Sequence, residues 1–142
     1  MRRPSPALVI DAAILVAAAR GRSTGALRTV AASLVLITTD RAIEETRRRI
    51  ELGVKRPELL EVVDALTSIL TVIPVSALAP MLADAERALR QASASGNGST
   101  RDAPVLTLAW AVDADIWTTD RDFAGAGVAT WSTPNLVRAI DG

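Results

Sequence analysis

The sequence predicts an α/β protein, three layers α/β/α around a central parallel sheet of four to five strands. Three observations lead there. Short apolar runs rich in β-branched residues (7–10, 34–38, 71–74, 116–118 and 128–131) alternate with stretches of helical periodicity. Strand–helix alternation of this kind suits a parallel sheet covered on both faces. The hydrophobic share, 49%, is almost entirely Ala, Val, Leu and Ile with 3% aromatic, a composition fitted to helices packed on a sheet. At 142 residues, a single domain spanning 1–142 is expected.

Each element has its own signal. Ala7–Ile10 reads as a central strand and Ala12–Arg20 as a helix that Gly21 ends. A helix over Thr24–Ser33 leads to the strand Leu34–Thr38, after which Asp40 is the expected cap of a helix reaching Leu52, stopped by Gly53. Pro57 opens a helix to Leu70, in which Leu59, Val62, Val63, Leu66, Ile69 and Leu70 keep the helical period. Thr71–Pro74 is a brief strand, placed at an edge because proline cannot donate to a ladder. A helix over Pro80–Ala92 precedes a Ser/Gly-rich loop at 93–100. Then come helix Ala103–Val112, strands Ile116–Thr118 and Val128–Trp131, and a closing helix Pro134–Ile140.

Composition narrows the chemistry. The chain has no histidine and no cysteine, so hydrolysis here must run on carboxylates and metal, not on imidazole or thiolate. Sixteen basic and 16 acidic residues give zero net charge, which argues against a generally basic nucleic-acid binder. Lys55 is the only lysine, and arginine is the bidentate partner for phosphate, so local phosphate contacts remain open. Few aromatic residues argue against a stacking platform for single strands. Met1-Arg2-Arg3 before an apolar run mimics a signal peptide, but Asp11 interrupts that run. The expectation is a soluble, cytoplasmic protein with no membrane partner.

Most acids are surface residues; a few stand apart. Two strands end in aspartate: Ala7-Leu-Val-Ile-Asp11 and Asp115-Ile-Trp-Thr-Thr-Asp120. Acids just past the carboxyl ends of parallel strands stand where open α/β sheets bind ligands, and two such rims brought together would reach one divalent ion. Asp11 breaks an otherwise apolar stretch, and helix cap and ligand are equally good readings that do not exclude each other. Asp120 and Asp122 follow a strand directly; a turn aspartate explains either alone, two at one strand end less well. Asp102, before Ala103-Pro104, is most simply an N-cap. Glu44 and Glu45 are spaced to pair with Arg48 and Arg49, and Glu45 falls nearer the edge of the apolar face formed by Ala42, Ile43, Thr46 and Ile50. Glu45 is the choice of the two.

The order of these acids resembles that of the PIN-domain ribonucleases over nearly the whole chain. The matching segments are Leu8-Val-Ile-Asp-Ala-Ala-Ile-Leu15, Thr38-Thr-Asp-Arg-Ala-Ile-Glu-Glu-Thr-Arg47, Asp102-Ala-Pro-Val-Leu-Thr-Leu-Ala109 and Asp115-Ile-Trp-Thr-Thr-Asp-Arg-Asp-Phe123. The resemblance implies Mg²⁺- or Mn²⁺-dependent cleavage of RNA, frequent homodimers and, as in VapC-type toxins, a small antitoxin partner. Carried over by position, Asp11, Glu45, Asp102 and Asp120 match the family's four acids and Asp122 its common accessory metal ligand. Thr118 and Thr119 could bond to the carboxylates; Arg20, Arg22, Arg41 and Arg121 could contact RNA phosphates, but an ordinary surface arginine is the favoured reading of any single one. One departure is Ala13, where the family usually carries Asn, Ser or Thr.

Rival readings fare unequally. A phosphorelay receiver needs a lysine after a late strand, and Lys55 lies between helices. A nucleotide-binding domain lacks its motif, since Gly125-Ala-Gly127 precedes a strand instead of following one. The stronger alternative, which Ala13 favours, is a catalytically inactive PIN-like binding or regulatory protein.

Overall fold

A computed structural model describes residues 2–92, 102–119, 123 and 126–141. Five strands, β1 (Ala7–Ile10), β2 (Val35–Thr39), β3 (Thr71–Ile73), β4 (Asp115–Trp117) and β5 (Thr130–Trp131), form one sheet of order β3-β2-β1-β4-β5. Every neighbouring pair is parallel, with Leu8 opposite both Leu36 and Asp115. The expected three-layer α/β fold is therefore the observed one, and β3 lies at an edge as its proline suggested. The first strand occupies the centre, so the sheet grows outward on both sides of it.

Side-chain alternation along the strands builds two cores. Leu8, Ile10, Leu36, Trp117 and Trp131 face α1 (Ala12–Ala19), α2 (Thr24–Ala31), α3 (Asp40–Arg48), α4 (Leu60–Thr67) and α7 (Thr133–Asp141). Val9, Ile37 and Ile116 point the other way, onto α5 (Ala79–Ala92) and α6 (Ala103–Val112). Leu8, Val9 and Ile10 are all fully buried, as expected of a central strand flanked by helices on both faces. Helix α6 is apolar almost all round, and Ala103 to Ala109 are all buried, so it lies deep against the sheet.

Helix ends differ from expectation in instructive ways. Gly21 does end α1: at φ +82° it lets its own N–H reach Ala18 O at 3.0 Å and that of Arg22 reach Ala17 O at 2.9 Å. Asp40, however, is the first helical residue of α3, and the cap is Thr39, whose hydroxyl accepts from Ala42 N at 3.1 Å. The Asp40 carboxylate instead accepts from Val75 N at 2.9 Å, tying α3 to the chain beyond β3. Nor does Gly53 stop that helix. The α-helix passes at Arg49 into a π-helical turn reaching Val54, and Lys55 takes the left-handed turn at φ 60°. Buried Ile50 holds the wider turn against the core.

The expected helix Pro57–Leu70 divides into a 3-10 turn, Pro57–Leu59, and α4, which stops at Thr67. Thr118 lies just outside its strand, and β5 is two residues shorter than expected at its start. No helix among the described residues is long and apolar enough to cross a membrane.

Candidate active site at the carboxyl rim of the sheet

All strands being parallel, the segments following β1, β2, β3 and β4 emerge along one rim. Asp11 leaves β1 in extended conformation and is 7% exposed. Its Oδ1 accepts from Ile14 N at 3.1 Å, capping α1, so the cap reading of the sequence is correct. Its Oδ2 accepts the hydroxyl proton of Thr118, the first residue after β4. Asp11 N donates to Trp117 O at 3.5 Å, which continues the β1–β4 ladder to the acid itself. The two aspartate-ending strands of the sequence are thus immediate neighbours, and the expected bond from Thr118 to a carboxylate is formed. Thr38 seals the rim on the other side, donating to Ile10 O at 2.8 Å. Oxygen is the only donor type these buried side chains offer.

The remaining sequence candidates are distributed as follows. Glu45 is half-buried on α3 and pairs with Arg49 at 2.9 Å, the i,i+4 contact its spacing allows. Asp102 directly precedes α6 and is half-buried, and its side chain makes no capping bond, so the side-chain cap expected of it is not formed. Asp120 and Asp122, with Arg121, lie outside the described residues. Among the described residues no three acids gather closely enough to hold a metal ion, and the expected set contains those two aspartates.

Sequence reasoning missed a cleft. A depression of about 390 Å³ lies where α3 faces the chain following β3, lined by Asp40, Arg41, Glu44, Val75, Ser76 and Leu82 among others. The two glutamates therefore differ in environment: Glu44 is on the cleft wall, and Glu45 is held by Arg49. No periodicity rule could reveal this, because the opposite wall comes from a segment 35 residues away from Asp40.

Comparisons with known proteins agree with this architecture. A sequence profile of the PIN domain family matches residues 9–140. The fold resembles that of VapBC2 from Rickettsia felis, solved bound to a DNA fragment from its promoter (TM-score 0.70, 16% identity, 89% of this chain and 98% of that one). It also resembles PAE2754 from Pyrobaculum aerophilum (TM-score 0.60, 16% identity, 96% of this chain and 99% of that one). No curated protein sequence matches the chain.

Proposed function

Because the chain belongs to the PIN domain family, we propose that it is a divalent-metal-dependent endoribonuclease with Asp11, Glu45, Asp102 and Asp120 as its catalytic acids and Asp122 as an accessory ligand. The observation that carries the reading is the buried Asp11 at the rim, joined to Thr118 from the neighbouring strand. A carboxylate held by a helix N-terminus on one oxygen and a hydroxyl on the other is fixed in position, as a metal ligand is by its supporting bonds.

The oxygen-only donors of the rim fit a hard cation such as Mg²⁺ or Mn²⁺, which Asp11, Glu45, Asp102, Asp120 and Asp122 would hold. The chemistry such an ion supplies is Lewis acidity toward a phosphodiester oxygen and toward water. Asp11, fixed from two sides, keeps its position through the reaction, so little reorganisation accompanies the change in charge. Thr118 orients that carboxylate through one oxygen, and the α1 N-terminus holds the other.

A small antitoxin is proposed as partner, by analogy with the VapBC2 complex, together with a homodimeric state and a cytoplasmic location. The test is Mn²⁺-dependent cleavage of mixed RNA by the wild type, Asp11→Asn and Asp120→Asn, with product ends examined for 5′-phosphate and 3′-hydroxyl. Wild-type cleavage lost in both variants supports the proposal; equal activity in all three refutes it. A wild type without metal-dependent cleavage selects the binding or regulatory alternative that Ala13 favours.

A further inference from the structure

We propose that the cleft between α3 and the chain after β3 is a subsite for one nucleobase, and that it favours guanine. Its place in the reaction, beside the phosphate to be cut, rests on the nuclease reading; its binding chemistry does not. The position follows from the topology. Asp40 leaves β2, next to the strand that Asp11 leaves, and Val75 follows β3, the strand beyond. Neighbouring strands lie about 4.8 Å apart, so Asp40, on the cleft wall, leaves the sheet one strand away from Asp11. Its volume, about 390 Å³, is at the small end of ligand pockets and suits a single base better than a longer ligand.

Among the described residues, two charges in this cleft have no side-chain partner. Arg41 and Glu44 stand three residues apart on α3, close enough to pair, yet neither side chain makes a hydrogen bond or ion pair among the described residues. Elsewhere Asp84 closes on Arg87 at i,i+3 and Glu45 on Arg49 at i,i+4, in each case with the acid first; Arg41 and Glu44 stand in the reverse, less favourable order. Asp40 is anchored through one oxygen, Oδ1, which accepts from Arg41 N at 2.8 Å and Val75 N at 2.9 Å, and it ties the two walls of the cleft together. Among the described residues Glu44 is then the acceptor with both oxygens unengaged, and Arg41 the donor with its whole guanidinium unengaged, against the apolar wall of Val75 and Leu82.

An ionised carboxylate only accepts, and its two oxygens match two parallel N–H donors. Guanine presents that pair on its Watson–Crick edge, N1–H beside the N2 amino group. Uracil offers one N–H between two carbonyls, and adenine and cytosine each offer an amino group beside a ring acceptor that a carboxylate repels. Single-stranded RNA exposes this edge for reading. The Arg41 guanidinium suits the attached phosphate.

The experiment titrates the metal-free full-length protein with 5′-GMP, AMP, CMP and UMP, for wild type, Glu44→Gln and Arg41→Ala. Expected is a Kd for GMP at least about 10-fold below that for UMP, the scale of one good bidentate base contact. Glu44→Gln should bring the two within about 2-fold, and Arg41→Ala should weaken all four alike, by about 5-fold. Equal wild-type affinities, or a GMP preference that survives Glu44→Gln, overturn the proposal. Both side chains are solvent-exposed, and an unchanged melting temperature checks that the variants fold. Mn²⁺-dependent cleavage of RNAs differing only in the base next to the cut separates the two readings. GMP preference without cleavage leaves the base pocket standing and the nuclease reading refuted; cleavage without GMP preference does the reverse.

Discussion

Replacing Asp115 by alanine should destabilise the protein by about 2–4 kcal/mol, although the residue lies at the start of β4 and far from the rim that carries Asp11. One oxygen of its carboxylate accepts from Ser5 N at 3.1 Å and from Trp131 Nε1 at 2.9 Å, while Asp115 N donates to Ser5 Oγ at 2.8 Å. These bonds clip the segment before β1 to β4 and to the edge strand β5. Arg2 approaches the same oxygen at 3.7 Å and stacks over the Trp131 ring at 5.3 Å.

Two bonds to an ionised acceptor are worth about 1.5–3 kcal/mol each when buried, and the 18% exposure of Asp115 discounts that range. Arg2, 60% exposed, adds no more than about 1 kcal/mol. Alanine also leaves the indole N–H of Trp131 beside a void. For a chain of this length, a loss of 2–4 kcal/mol corresponds to a fall in Tm of roughly 6–12 °C. Urea titration followed by tryptophan fluorescence measures it, with Arg2→Ala as the control expected to lose less than about 1 kcal/mol. A loss below about 0.5 kcal/mol for Asp115→Ala would refute the clip, as would equal losses in the two variants.

Two further outcomes bear on the proposed metal site. Mn²⁺ at about 100 times its Kd should stabilise the wild type by about 2.7 kcal/mol, read as a rise in Tm of roughly 8 °C at neutral pH, and Asp11→Asn should remove most of that shift. A wild type that melts at the same temperature with and without millimolar Mn²⁺ counts against the site. Thr118→Val keeps the side-chain shape but deletes the hydroxyl that donates to Asp11; the Kd for Mn²⁺ should rise about 10-fold, measured by calorimetric titration. An unchanged Kd would mean that Thr118 is only a packing residue.

The sheet was legible in the sequence because its signals are local. β-branched apolar runs such as Leu8-Val-Ile10 mark strands wherever they occur, and Gly21 marks a helix end by its freedom to adopt positive φ. Helix limits were less legible where tertiary contacts override local preference. Gly53 would end a helix in isolation, but burial of Ile50 carries the chain on into a π turn, and a lysine takes the left-handed position instead.

At the rim, Asp11 was legible because a charge inside an apolar run demands compensation. Its double role was weighed from sequence, and the structure supplies the partners, Ile14 and Thr118. The cleft was not legible. Arg41 and Glu44 look like ordinary surface charges until the turn after β3 is found across a cleft from them. Asp115 escaped notice for the same reason: its partners, Ser5 and Trp131, are distant in sequence and bear no motif.

The helix-capping bond of Asp11 has an evolutionary corollary. An acid that begins α1 is worth keeping for folding alone, so descendants that lose nuclease chemistry have reason to retain it. Presence of this aspartate in a homologue is therefore poor testimony to activity. Glu45, half-buried on α3 with Arg49 as its ion-pair partner, makes no such capping bond among the described residues, so under the proposed nuclease function its loss would be the earlier sign of a lineage that has stopped cutting.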